Sequence, residues 1–297
     1  MNNMQNLATE LEVPLFSTSD LEFDVNSTIK YGSCSVVRKA FIPALSWTVA
    51  VKNYKQQDSN SYKNEMRILK KLNHENLLNL KGLLSDGDSL VVDWCSGPNL
   101  YEYFNSKFEQ CYSKASTNEL MNIAYQISNG MEYMHSMKII HRDLKSKNVF
   151  LIGPSLQKGT RQWKVKIGDF NLAVALNDPN AQNIQTKCEG SLYWMAPEVI
   201  NKNFINQQIS DPYTFKSDVY SFGVILFELV TGEVPFKDLE PMAMVLKIGR
   251  REISLNPQSS SHASQEIIDL IKQCTEHKRE FRPEFAQIKN LLSKIIE

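Results

Sequence analysis

Cysteine is scarce in this chain and carries no pattern: the five residues Cys34, Cys95, Cys111, Cys188 and Cys274 are odd in number and widely spaced. No CxxC pair and no clustered histidines accompany them, which argues against a disulfide framework or a zinc site and for a reducing compartment, the cytoplasm. An excess of charge is also lacking. Lys and Arg number 33 against 33 Asp and Glu, so bulk electrostatic binding to nucleic acid or to a membrane surface is not expected, and any function of charge must be local. Long apolar runs are missing: the most apolar stretch, 219–227, lies between Asp218 and Glu228. It is far short of the roughly 20 residues that cross a bilayer and reads as a buried core helix. Residues 1–20 contain no basic segment followed by an apolar one and no Met-Gly start, so neither a secretion signal nor a lipid anchor is expected.

What remains describes a folded globular protein. With 297 residues, 42% of them hydrophobic and 22% charged, there is room for a large core or two modest lobes at roughly 100–200 residues per domain. Short valine-rich strands bounded by turn residues are predicted at 35–41, 48–52 and 89–92. One helix interrupts them, because Tyr62, Met66, Leu69 and Leu72 form an apolar stripe that leaves Lys63, Glu65, Arg67 and Lys70 on other faces. After Ser96-Gly97-Pro98 the pattern turns helical. Ser116 and Glu119 have the spacing of a capping box ahead of Leu120, Ile123, Ala124, Ile127, Met131 and Met134. Further helices are predicted over 216–231, closed by Gly232, over 264–275, and from Pro283 at a first helical position to the end. Strands followed by helices make an α+β arrangement: an extension at 1–20, a smaller lobe at 21–95, a larger one at 96–297, and a cleft at the joint between them.

The segment His141-Arg142-Asp143-Leu144-Lys145-Ser146-Lys147-Asn148 concentrates side chains suited to phosphoryl transfer. A carboxylate can accept a hydroxyl proton, a lysine can offset charge on the moving group, and an amide oxygen can hold a metal. The segment resembles the catalytic loop of protein kinases, H-R-D-L-x-x-x-N, at every specified position. In register with it, Val49-Ala50-Val51-Lys52 resembles the third-strand motif, Asp169-Phe170-Asn171 stands where the family has D-F-G, and Ala196-Pro197-Glu198 matches A-P-E.

The resemblance spans roughly residues 21–295 and implies a bilobal kinase fold, with a small antiparallel-sheet lobe carrying one main helix and a larger helical lobe. It implies ATP and Mg²⁺ as cofactors, with Asp143 as catalytic base, Lys145 as charge stabiliser, and Asn148 and Asp169 as metal ligands. Lys52, held by Glu65, would anchor phosphates. Val37, Ala50 and Phe150 would enclose adenine, Val92 would be the gatekeeper, and Asp93, Trp94 and Cys95 would form the hinge. Leu69, Leu80, Phe170 and His141 would stack as an apolar spine. Asp218 would anchor the catalytic-loop backbone, and Arg282 would pair with Glu198. His135 and His74 are read as solvated or capping. Cys34 and Cys95 would border the cleft, where oxidation or alkylation would block ATP.

Two departures stand out. The phosphate-covering loop, 29–37, has Ile29 at its start and Gly32 as its one glycine, with Lys30 and Ser35 where the family has glycines. Asn171 replaces the glycine of D-F-G; asparagine enters the left-handed region at modest cost, so the turn is expected to survive. They motivate an alternative, a pseudokinase acting as a nucleotide-gated scaffold. Lys145, two residues after Asp143, matches serine/threonine kinases, and the segment His141 through Asn148, with Val165-Lys166-Ile167-Gly168 and Gly190-Ser191-Leu192-Tyr193-Trp194-Met195, is similar to the tyrosine-kinase-like group that includes Raf, mixed-lineage and plant receptor-like kinases. The implied acceptor is a serine or threonine of a protein substrate, dual specificity being the variant reading, and a kinase-domain dimer is a partner seen in that group. No nucleic-acid or membrane partner is expected. Arg142 suggests control by phosphorylation at Thr186, and Ser191 is assigned to the catalytic loop and substrate docking.

Overall fold

The computed structural model describes residues 8–9, 12–25, 30–31, 34–105, 115–157, 160–178, 191–205, 211–257, 262 and 264–296. Ile29, Gly32 and Thr186 lie outside the described residues. The first lobe contains β1 (Leu15–Phe16), β2 (Glu22–Phe23), β3 (Lys30–Tyr31), β4 (Ser35–Ile42), β5 (Trp47–Tyr54), α1 (Ser59–Lys71), β6 (Leu80–Leu84) and β7 (Ser89–Asp93). Its strands lie in the order β1-β6-β7-β5-β4-β2, with β3 also beside β4. β1 runs parallel to β6 and falls within the segment read as an extension, so the sheet begins before Leu21.

Alternation along β5 divides this lobe into two apolar layers. Val49 and Val51 join Phe16, Ala40, Ile42 and Val91 in an outer cluster, whereas Ala50 and Tyr54 face the main core with Tyr62, Met66 and Leu69 of α1. Successive side chains on a strand point to opposite faces, so Lys52 emerges on the α1 side. The stripe on α1 buries Tyr62, Met66, Ile68 and Leu69, and, contrary to the expectation that it lies on another face, Glu65 is buried with them. A glutamate on the buried face of an amphipathic helix needs a partner.

The second lobe contains α2 (Leu100–Asn105), α3 (Thr117–Ser136), β8 (Ile139–Ile140), β9 (Val149–Gln157), β10 (Thr160–Ile167), β11 (Val174–Ala175), α4 (Pro197–Phe204), α5 (Phe215–Thr231), α6 (Pro241–Gly249), α7 (Gln265–Cys274) and α8 (Phe285–Ile296). α5 is the central helix expected from the apolar run, with Val219, Phe222, Val224, Ile225, Leu226 and Leu229 all buried. It ends at Gly232, whose φ of 72° takes the left-handed conformation of a C-cap. Gly223 lets α7 approach: a Cβ there would stand 2.7 Å from Cys274 Cβ.

Three expectations are corrected. α8 begins at Phe285 rather than Pro283, because the Glu284 carbonyl accepts from the Gln287 and Ile288 amides while Gln287 Oε1 caps the Glu284 amide at 2.8 Å. The capping box of α3 is half made. Ser116 Oγ accepts from the Glu119 amide at 3.1 Å, but the Glu119 carboxylate turns to the indole of the buried Trp163 at 3.2 Å. His135 is neither solvated nor a cap: its Nε2 lies 2.8 Å from Asp218 Oδ2, and its ring packs against Phe215 and Phe285. His74 stacks on Tyr133 and its Nδ1 accepts from the Asn76 amide at 3.1 Å. Among the described residues no helix is long and apolar enough to cross a membrane.

Candidate active site

The loop after β8 is pinned from below by one carboxylate. Asp218 of α5 accepts from the His141 amide at 2.9 Å and the Arg142 amide at 3.0 Å, besides its contact with His135. This anchorage offsets the cost of Arg142 at φ 67°, a region that non-glycine residues occupy only under constraint. His141 is fully buried with its ring 5.4 Å from that of Phe170. Pairing of Val174 with Ile140 joins the segment after Asp169 to the same loop.

Asp143 sits at the centre of a four-residue cluster. Lys145 Nζ donates to Asp143 Oδ2 at 2.7 Å and to Ser191 Oγ at 2.8 Å, and Ser191 Oγ donates to Asp143 Oδ1 at 2.6 Å. Asn148 Nδ2 donates to the Asp143 carbonyl at 2.8 Å and to Oδ2 at 3.2 Å. With its nitrogen so committed, the Asn148 amide leaves Oδ1 without a partner among the described residues. A carboxylate held by a lysine, a hydroxyl and an amide is oriented to take a proton from an incoming hydroxyl group.

Across the joint, Lys52 Nζ lies 2.7 Å from Glu65 Oε2 and 2.8 Å from Asp169 Oδ1. Burial works against this ammonium, but Asp169 and then Glu65 outweigh it and hold its pKa well above the ordinary lysine value. Burial likewise opposes ionisation of Asp169, and Lys52, both as a charge and as a hydrogen-bond donor, reverses that and holds the carboxyl below the usual range. Asp169 also adopts φ 64°. This corrects the expectation for Asn171, which is not among the residues at positive φ. The turn places the left-handed residue two positions earlier, so no glycine is needed at position 171. The Asn171 carbonyl instead accepts from Asn64 Nδ2 at 2.8 Å. Asp169 Oδ2 and Asn148 Oδ1, unpartnered among the described residues, supply oxygen donors of the kind Mg²⁺ prefers, and no cluster of three or more His, Cys, Asp or Glu among the described residues would hold a metal unaided.

Val37 is opposite Lys52, and Ala50 is opposite the buried Val92; Ala50 and Val92 belong to the main apolar cluster and Val37 packs against it. Phe150 is half-buried on β9, bridged to Asn99. The Asp93 carboxylate is taken up by Lys166 at 2.8 Å, Lys81 at 3.1 Å and the Asn79 amide at 3.0 Å, and its amide donates to the Asn79 carbonyl at 3.2 Å, so its side chain does not serve a ligand. Burial pushes the Cys95 thiol up to about 12, which argues against a reactive thiolate there. Lys30 is turned to Glu102 at 3.4 Å.

Glu228, which sequence reasoning passed over, lies buried beneath the loop and accepts from Ser146 Oγ at 2.9 Å and Trp194 Nε1 at 2.8 Å. Burial pushes its carboxyl up to about 8, against the pull of those two donors. The folded chain therefore keeps a proton that the unfolded chain releases near 4.5. Its stabilising effect is full below that pH and is lost as pH rises through about 8. Glu228→Gln is expected to flatten the decline in melting temperature between about pH 5 and pH 8.5. Identical pH slopes for parent and variant would refute this.

Over residues 23–292 the chain matches the family model described as protein tyrosine and serine/threonine kinase, and it belongs to that family. The serine/threonine-protein kinases A-Raf of Sus scrofa and of Homo sapiens are each 35% identical to it over 238 residues, 78% of this chain and 36% of theirs. A-Raf of Mus musculus is 35% identical over 240 residues. The chain thus spans little more than a third of the length of these curated relatives.

Proposed function

We propose that the chain is an ATP-dependent protein kinase that transfers the γ-phosphoryl group to serine or threonine of cytoplasmic protein substrates. The observation that carries this reading is that Lys52 bridges Glu65 and Asp169, at 2.7 and 2.8 Å, in the same chain that clusters Asp143, Lys145, Ser191 and Asn148. Lys52 then holds nucleotide phosphates, Asp143 accepts the proton of the acceptor hydroxyl, and Lys145 offsets charge on the group in flight. Val37, Ala50 and Phe150 enclose the adenine, and the backbone of Asp93 and Cys95 meets its edge. Mg²⁺, when bound with nucleotide, neutralises phosphate charge; Asn148 and Asp169 are the residues that would hold it.

Arg142 supports regulation at Thr186. Its guanidinium lies 4.7 Å from the centre of the Tyr213 ring, its Nε is buried without a partner, and it forms no ion pair with a described residue. A phosphate would satisfy it. The test is phosphoamino-acid and mass-spectrometric mapping of purified protein after incubation with Mg-ATP and generic substrates. Phosphoserine or phosphothreonine is expected in the substrate and phosphate at Thr186 in the active chain. Exclusive phosphotyrosine, or no incorporation, would count against the reading, and phosphate elsewhere with none at Thr186 against the regulatory assignment.

A further inference from the structure

Two side chains, one on β5 and one on α1 itself, tie α1 to its surroundings and have no part in the chemistry just described. On β5, the Tyr54 hydroxyl donates to Glu65 Oε2, the same oxygen that accepts from Lys52. Tyr54 is two residues beyond Lys52, so both side chains leave one face of the strand. The Lys52 ammonium stands 5.3 Å from the centre of the Tyr54 ring, and Tyr62 of α1 meets that ring edge-on at 5.6 Å. Burial, reinforced by the Glu65 charge, holds the Tyr54 phenol well above its ordinary pKa, which keeps it a donor.

On the other side, Asn64 Nδ2 donates to the carbonyls of Asn171 at 2.8 Å and Ala173 at 3.0 Å. Asn64 and Glu65 are neighbours, about 100° apart around the helix axis. A single turn of α1 therefore reaches β5 through Glu65 and the Asp169 segment through Asn64. Glu65 is 3% exposed, and its Oε2 would lose one of its two donors if the phenol were absent. Hydrogen bonds to an ionised acceptor are the stronger kind.

We propose that Tyr54 and Asn64 are positioning residues that together clamp α1 in place, so that Glu65 holds Lys52 aligned with Asp169 before a nucleotide arrives. This rests on reading the site as one that binds ATP through Lys52. It assigns to Tyr54 a role that acts through Glu65 and not through contact with substrate.

The test is Mg-ATP affinity by calorimetry for the parent chain, Tyr54→Phe, Asn64→Ala, Glu65→Gln and the Tyr54→Phe/Glu65→Gln pair, each first checked for a cooperative melt. Loss of a hydrogen bond to a charged group predicts about tenfold weaker binding for Tyr54→Phe and a smaller loss for Asn64→Ala. In the Glu65→Gln background the Tyr54→Phe effect is expected to shrink below about threefold, because the phenol no longer serves a charge. Parent-like affinity in both single variants would overturn the proposal, as would an equal Tyr54→Phe penalty in both backgrounds. Affinity is read without turnover, so a parent that binds ATP but transfers no phosphoryl group removes the functional reading and leaves this test standing. A parent that binds no ATP removes both.

Discussion

Asp143→Asn is expected to lower phosphoryl transfer by about 10²–10⁴-fold while leaving Mg-ATP binding in place, the range associated with loss of a general base. The amide keeps the shape of the side chain and one acceptor oxygen. It cannot take a proton, and it removes the negative charge that faces Lys145 Nζ at 2.7 Å and Ser191 Oγ at 2.6 Å. One of those donors would then meet an amide NH₂ group, so some loosening of Ser191 is expected alongside the loss of the base. The measurement is steady-state turnover on a peptide substrate, with ATP affinity and melting temperature measured on the same preparation. A variant that binds ATP and keeps more than about a tenth of parental turnover would show that Asp143 is not the base.

The parts of this site that were legible in advance are those whose chemistry is contiguous. His141 through Asn148 carries base, cation and amide in a single loop, and Lys52 ends the contiguous Val49-Ala50-Val51-Lys52 motif. Glu65 was legible only through the resemblance: the stripe alone reads it onto another face of α1, whereas the ion pair with Lys52 lets it be buried. Roles fixed by residues that meet only after folding were not. Asp93 read as hinge backbone alone, yet its carboxylate ties β7 to Lys81 on β6 and Lys166 on β10. His135 ends a helix in the sequence, and its partner Asp218 lies 83 residues further on. Tyr54 carries no signal in the sequence, because nothing local shows that its hydroxyl will reach α1.

Asn171 is the most instructive failure. The argument from conformational tolerance was sound for asparagine but was applied to the wrong residue, because the strain sits on Asp169 at φ 64°. There the pairing with Lys52 and the β8–β11 bridge hold the segment on both sides. In the second lobe, β9 contains Gly153 and Pro154, residues that punctuate a sequence as turns, and the β9–β10 ladder absorbs a register shift between Gln162 and Lys164. Local breaker signals lose to the burial of Val149, Leu151, Val165 and Ile167.

Arg282→Met is expected to destabilise the chain by about 3–5 kcal/mol, the cost of leaving a buried charge without its partner. All five guanidinium N–H groups are used. Nη1 and Nη2 donate to the two Glu198 oxygens at 2.7 and 2.8 Å, Nε donates to the Glu276 carbonyl at 2.7 Å, and the remaining donors reach the carbonyls of Lys216 at 2.8 Å and His277 at 3.3 Å. The arginine side chain is 0% exposed and that of Glu198 10%, so the stranded carboxylate has little water to turn to. Arg282→Lys is expected to restore only part of the loss, since one ammonium cannot reproduce a planar fork with five donors. Against a total stability of about 5–15 kcal/mol, the methionine variant should melt some 10 °C lower, by the scaling of roughly 2–4 °C per kcal/mol in chains of this order of size. Adding Glu198→Leu to Arg282→Met should recover much of the deficit, because the buried pair is then replaced by apolar contacts rather than broken. The pair joins the start of α4 to the segment before α8, and α4 follows directly on the Leu192–Trp194 turn beside the Asp143 cluster. Activity should therefore fall with stability in the single variant and return with it in the double. A methionine variant that melts within about 2 °C of the parent would show that the pair is not the anchor its geometry indicates.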